Sequence, residues 1–443
     1  MEKYLRRNID TALLEWSREE RRKALLIRGA RQVGKSSAIR NLGSHFEHYV
    51  EVNFDNNRDV STLFEQNLSP QELCEQLSLV YNTPIVPDKT LLFLDEIQSC
   101  PAAISKLRYF YESYPELHVV AAGSLLEFAL ENLSSFGVGR IRSMFIYPFS
   151  FDEFLVANGE ELLWKAITKA DIDAPLLEPV HKKALNLLKK FLVLGGMPEV
   201  VSAYTDGLPM LECLRIMDDL VISYKDDFSK YHKRIPESRI AEVFDSVVKN
   251  AGSPFVYAGS ANASTPQIKE ALELLIKAGL VIPVTHSSGN GIPIGAEANI
   301  KKRKMLLLDT GLFLRILGLD LSELILSDDL ELVNRGALAE IYVGLELQKS
   351  SSSYNKEDLY FWKRESKSSN AEVDYLVQKG EEILPIEVKS GTRGSMQSLH
   401  QFLKEKSSQL GVRCSSENFG HFNNINVIPL YAAGTIVKNK IQY

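Results

Sequence analysis

The chain has 443 residues, 45% hydrophobic and 24% charged, a globular balance that excludes wholesale disorder and predicts roughly two to four domains with cores of their own. Its net charge of −6 excludes a surface that is basic throughout, yet leaves room for a local basic patch. Cys74, Cys100, Cys213 and Cys414 show no paired spacing, no apolar run approaches the ~18 residues of a membrane span, and the first residues lack the apolar centre of a signal peptide. A cytoplasmic protein with buried thiols and no membrane partner is expected.

In chain order, a helical pattern over residues 4–16 gives way to a short apolar run, KALLIR at 23–28, which reads as a strand ending at Gly29. Gly29, Ala30, Arg31, Gln32, Val33, Gly34, Lys35 and Ser36 then match G-x-x-x-x-G-K-[ST], with Ser37 following and a helix expected from about Lys35. Strand, glycine loop and helix is the order a phosphate cradle needs. The glycines let backbone N–H groups turn toward phosphate, Lys35 would reach the β- and γ-phosphates, and Ser36 would offer its hydroxyl to Mg²⁺. ATP with Mg²⁺ is the expected ligand.

A second apolar strand, TLLFL at 90–94, delivers Asp95 and Glu96 to the carboxyl edge of a parallel sheet. Asp95 would hold the magnesium and Glu96 would orient or deprotonate the attacking water. The strand at 118–122 ends in Gly123-Ser124, where Ser124 either senses the γ-phosphate or caps the helix that follows. Arg140 and Arg142 in GRIR are either arginine fingers, acting in cis or from a neighbouring subunit, or surface charges. A finger in trans would require a homo-oligomer.

The segments GARQVGKS, LLFLDEIQ, AAGSLLEF, VGRIRSMFIYPFSFDEF and LGGMPEVV together resemble the bacterial and archaeal AAA-type ATPases that carry a carboxyl-terminal domain of unknown function. The resemblance covers almost the whole chain and implies an α/β P-loop NTPase core, a helical middle, a winged helix and a nuclease-like end. Many relatives have threonine where this chain has Ser36, which leaves the magnesium role intact. The expected domains are 1–160 for the ATPase, 161–234 for a helical connector or lid, 235–325 for the winged helix and 326–443 for the nuclease-like, restriction-endonuclease-type α/β domain.

The pattern is helical from 175 to about 230, broken at Gly195-Gly196-Met197-Pro198. Between 235 and 317 an amphipathic helix, a second helix capped by Ser264-Thr265-Pro266-Gln267, and two strands around SSGNG give the winged-helix order. Lys269 and Lys277 on the second helix are candidates for DNA contact, although Glu270 and Glu273 share it. Lys301, Lys302, Arg303 and Lys304 either track a phosphate backbone or form a solvated strand.

After polar stretches around 349–356 and 365–370, VDYLV at 373–377 and ILPIEVKS at 383–390 flank Gly380-Glu381 and predict a tight hairpin. Centred there, the register pairs Val377 with Leu384, Tyr375 with Ile386 and Asp374 with Glu387, placing the apolar set on one face and Glu372, Asp374, Glu387 and Lys389 on the other. Two carboxylates at ~5 Å repel by about 3 kcal/mol at an effective dielectric of 20, so a compensating charge is required. A divalent cation held by Asp374 and Glu387, with Lys389 beside it, would supply that charge and activate water against a phosphodiester. With Glu340 on the preceding helix, the set resembles the PD-(D/E)xK nuclease core. The alternatives are a solvated charged hairpin or a nuclease fold that no longer cuts. Two functions follow: ATP turnover that regulates cleavage of DNA or RNA, or an ATP-driven switch whose tail binds a nucleic acid or protein partner without chemistry.

Overall fold

The structure, a computed structural model, describes residues 4–131, 139–231, 235–259, 261–319, 336–365, 371–389 and 396–438. The polar stretch at 366–370, the start of the expected helix at 334–335, residues 132–133 after Ser124, and Ser390 lie outside them. Two compact units form. The first comprises Met1–Tyr147, Lys277–Gly279 and Ser352–Lys356; the second comprises Pro148–Ile276, Leu280–Ser351 and Glu357–Tyr443.

The first unit is built on five parallel strands, β1 (Ala24–Arg28), β2 (His48–Asn53), β3 (Thr90–Asp95), β4 (His118–Ala122) and β5 (Ile141–Phe145), in the order β2-β3-β4-β1-β5. β3 and β4 are buried at every position, as expected of continuous apolar runs in a sheet covered on both faces. On one face Leu26, Val52, Leu92 and Leu94 pack with Leu73 and Leu77 of the helix Pro70–Tyr81 and with Ile104, Leu107 and Phe110 of the helix Pro101–Ser113. A reciprocal Ser69–Glu72 capping box starts the first of these helices. β1 and β4 lie side by side and both end at the same edge, so the loop after β1 and the residues after β3 and β4 converge there.

In the second unit, helices Phe151–Ala157, Glu161–Lys169, Glu178–Leu194, Pro198–Thr205 and Met210–Asp226 precede the helix, helix and hairpin order expected at 235–317. That order consists of Glu237–Lys249, Thr265–Lys277, β6 (Val281–Ser287) and β7 (Ala298–Leu307). Ile268, Ala271, Leu272 and Leu275 are buried as one face of the second helix. The turn at Gly195-Gly196 is held by Asp309, whose Oδ2 accepts from Gly196 N at 2.6 Å while Oδ1 caps the next helix through Leu312 N at 3.0 Å.

The division at 160, 234 and 325 differs from this arrangement. The chain leaves the first unit after Tyr147, and the parallel pairing of β6 with β8 carries one sheet across the expected boundary at 325. β8 (Leu359–Lys363), β9 (Glu372–Lys379), β10 (Glu382–Val388), β11 (Gly411–Ser415), β12 (Gly420–Phe422) and β13 (Ile425–Pro429) join the hairpin in the order β12-β13-β11-β10-β9-β8-β6-β7. β6 pairs in parallel with β8, Val284 opposite Leu359. The β9–β10 hairpin has the register read from the sequence, Val377 opposite Leu384 and Tyr375 opposite Ile386.

Candidate functional site

In the first unit, the loop after β1 leads into the helix Lys35–Gly43, with Gly34 at φ 91° and ψ 24°, a left-handed conformation that a β-carbon would strain. Gln32 also has positive φ, 59°. The loop is pinned from outside by Arg7, whose guanidinium donates to Val33 O at 3.0 Å and to Tyr147 O at 2.6 Å. Ser37 follows Ser36 in the helix's first turn. Lys35 Nζ donates to two carbonyls of its own loop, Gly29 O at 3.1 Å and Ala30 O at 2.6 Å. Burial lowers its pKa to about 8, against the pull of Glu96 and Asp95.

Ser36 Oγ lies 3.1 Å and 3.3 Å from the two oxygens of Asp95. A hydroxyl and a carboxylate side by side are the hard oxygen donors that Mg²⁺ takes alongside phosphate and water, so this pair fits the ion. Burial raises the pKa of Asp95, and the adjacent Glu96 adds to the shift. Asn53, at the end of β2 opposite Asp95 in register, donates to Asp95 Oδ2 at 3.2 Å. It went unnoticed in the sequence, where nothing marks a lone asparagine at the end of a strand. Glu96 has a left-handed backbone, φ 49° and ψ 44°. Its Oε2 accepts from Gln98 Nε2 at 2.6 Å and from Ser124 Oγ at 3.4 Å. The structure therefore brings Lys35, Ser36, Asp95, Glu96 and Ser124 to one sheet edge.

Arg140 and Arg142 stand at the other edge. β5 runs parallel to β1 with Ile141 opposite Ala24 and Phe145 opposite Arg28. At ~3.3 Å per residue, Arg140, one residue before Ile141, is about 20 Å from the loop that begins at Gly29, and Arg142, opposite Leu25, about 13 Å. Arg140 pairs with Glu112 and Arg142 with Glu19. A cis arginine finger from either residue is corrected accordingly.

Residues 21–155 match the family model of an AAA domain. That match takes in all five strands of the first unit. Residues 185–323 and 335–433 match two further families, each described as a domain of unknown function (DUF8612 and DUF4143). No curated protein matches the sequence. Among solved structures, the ORC1 protein of Aeropyrum pernix in complex with DNA is similar at 15% identity over 73% of this chain and 95% of that one, with a TM-score of 0.29. Cdc6p from Pyrobaculum aerophilum is similar at 13% identity over 73% and 96%, with a TM-score of 0.26.

Outside the AAA domain, the hairpin of the second unit presents its charged set as expected, but the compensating charge is a lysine. Lys304 Nζ, 1% exposed, lies 2.7 Å from Glu340 Oε1, 2.5 Å from Glu372 Oε1 and 3.7 Å from Asp374 Oδ1, over the ring of Phe361. The other oxygen of Asp374 accepts from Val388 N at 2.8 Å, and Lys389 Nζ pairs with Glu387 Oε1 at 2.6 Å. Among the described residues, no group of three or more Asp, Glu, His or Cys stands where one metal ion could be held. At the expected metal pair, Asp374 accepts from the Val388 amide, and Glu387 pairs with Lys389 through Oε1 while its Oε2 is buried without a hydrogen bond. Burial and Asp374 raise Glu340 to about 8, against Lys304; burial also raises Asp374 and Glu387. Burial opposes ionisation of Glu372 too, yet Lys304 and Lys363 hold it below its ordinary value.

The basic run is divided between the interior and the surface. Lys304 is buried, Arg303 pairs with Glu273 at 2.8 Å, and Lys302 pairs with Glu365 at 2.7 Å. Lys269 lies over the ring of Tyr257, 5.5 Å from its centroid.

Proposed function

We propose that the protein is a magnesium-dependent ATPase in which Lys35 binds the β- and γ-phosphates, Ser36 and Asp95 hold the ion, and Glu96 orients the attacking water. The contact between Ser36 and Asp95, with Glu96 next in the chain at the same edge, carries this reading. Bound there, Mg²⁺ would neutralise charge on the phosphate oxygens. The loop amides and Lys35 position the triphosphate, and Glu96 accepts a proton from water as the bond to the leaving phosphate breaks. The test is to measure MgATP binding and phosphate release on the same samples. Lys35→Ala is expected to lose both, and Glu96→Gln to lose release while keeping binding. Equal release by wild type and Glu96→Gln would overturn the reading.

For the second unit we favour a nucleotide-controlled binding module over a nuclease. Within it, 161–234 is read as a helical connector, 235–325 as a winged helix and 326–443 as a nuclease-like fold. Lys304 favours the non-cutting alternative, because its ammonium lies among Glu340, Glu372 and Asp374 while Lys389 pairs with Glu387. The pairing of Lys302 with Glu365 and of Arg303 with Glu273, and the burial of Lys304, weaken the DNA footprint of β7. Plasmid DNA left intact with Mg²⁺ or Mn²⁺ supports this reading, and nicking abolished by Asp374→Ala would reverse it.

A further inference from the structure

The reaction assigned to Glu96 requires one carboxylate oxygen to be anchored and the other to face water. Among the described residues the anchors reach only Oε2: Gln98 Nε2 at 2.6 Å and the more distant Ser124 Oγ at 3.4 Å. Glu96 alone does not set this geometry. Its left-handed backbone opens a 3-10 turn, Ile97–Ser99, that carries Gln98 back across the carboxylate. The amide of Gln98 is itself held against the chain after β4. A β-carbon on Gly123 would lie 2.1 Å from Gln98 Oε1 and 3.2 Å from its Cδ, and the next nearest atom is the Gln98 backbone N at 3.7 Å. Gln98 Oε1 is buried there without a hydrogen bond. An unpaired buried carbonyl costs free energy, and here the same amide makes a short, charge-assisted bond to Glu96 through its other end.

We infer that Gln98 is the positioning residue for Glu96, fixing Oε2 so that Oε1 meets the attacking water, and that Gly123 is glycine to admit the Gln98 amide. The inference rests on the ATPase reading of the site. Gln98 touches neither nucleotide nor water in this scheme, so its loss acts on turnover rather than on ATP affinity.

The experiment compares wild type, Glu96→Gln, Gln98→Ala, Gln98→Glu, Gly123→Ala and the double variant Gln98→Ala/Gly123→Ala in MgATP binding and in the kcat and KM of phosphate release. Gln98→Ala is expected to lower kcat about tenfold with KM and binding within twofold of wild type. Gln98→Glu keeps the length of the side chain but donates no N–H, and is expected to lower kcat about as far as Gln98→Ala. Gly123→Ala is expected to resemble Gln98→Ala, and to add nothing in the double variant, since the only atoms it displaces belong to Gln98.

If wild type releases no phosphate, the ATPase reading falls and this inference falls with it. If Glu96→Gln abolishes release while Gln98→Ala retains wild-type kcat, the inference alone is overturned. Wild-type kcat in Gln98→Glu, or a further loss from Gly123→Ala in the Gln98→Ala background, likewise overturns it and leaves the ATPase intact.

Discussion

Replacing Lys304 by methionine keeps an unbranched apolar stem of similar length and removes the ammonium that faces Glu340, Glu372 and Asp374. Breaking a buried ion pair by deleting one partner costs about 3–5 kcal/mol. Two contacts are at 2.5 and 2.7 Å and the lysine is 1% exposed, so the upper half of that range, about 4 kcal/mol at pH 8, is expected. The deficit depends on pH with a definite sign. The carboxyl of Glu340 titrates at about 8 when folded, above its ordinary 4.5, so folding retains a proton that the unfolded chain has lost. Such a group adds stability that is fully present below the unfolded value and is lost as pH rises through the folded one. Lys304 pulls Glu340 and Asp374 down, so removing it sends both further up. The variant is therefore closest to wild type near pH 5 and furthest above pH 8, with ~1.4 kcal/mol per pH unit for each proton involved. Urea unfolding followed by tryptophan fluorescence at both pH values reports the difference. Trp362 is buried in the second unit's core, and Trp16→Phe in all samples removes the signal of the first. A deficit under about 1 kcal/mol at pH 8, or a larger one at pH 5, would refute Lys304 as the compensating charge.

Other outcomes follow from the same geometry. Because burial lowers Lys35 to about 8 in the nucleotide-free protein, MgATP binding at pH 8.5 is expected to take up a proton, seen as a dependence of calorimetric enthalpy on buffer ionisation. Affinity should accordingly fall as pH rises past 8, and a flat profile from pH 7 to 9.5 would contradict the buried ammonium. Ser36→Ala is expected to raise the Mg²⁺ concentration for half-maximal turnover about tenfold while leaving metal-free nucleotide binding unchanged, checked by magnesium titration. Arg140→Ala is expected to leave ATP affinity and turnover within twofold, because its guanidinium faces Glu112 at the opposite edge of the sheet; a large fall in kcat rescued by mixing with Lys35→Ala would instead establish a finger in trans.

The parts of the molecule that could be read from sequence are those whose physics is local. The loop of residues 29–36 has its glycines and lysine in one stretch, and β3 is an unbroken apolar run that ends in Asp95. The β9–β10 hairpin announced its register through a turn and a period of two, which is why Tyr375 and Ile386 were paired correctly. Lys304 could not be found that way. It lies in a run of four basic residues, yet β7 pairs with β6 and carries it into a core whose carboxylates come from 36 to 70 positions further along the chain. Arg140 misled for a related reason. Its role depends on which end of a strand it precedes, and β5, only partly buried, lacks the apolar run that would have shown the strand's direction. Asn53 and Gln98 are single polar residues whose partners are fixed by the neighbouring strand or turn, so composition and spacing give no hint of them.

The central claim is that the edge formed by Lys35, Ser36, Asp95 and Glu96 cleaves the β–γ bond of ATP. Its most direct test is to incubate wild type and Glu96→Gln with Mg²⁺ and a stoichiometric amount of ATP, quench, and separate the nucleotides that remain. Conversion to ADP by wild type, with intact ATP recovered from the Glu96→Gln complex, is the predicted result. ATP recovered unchanged from both, or ADP formed at equal rates by both, would contradict the account.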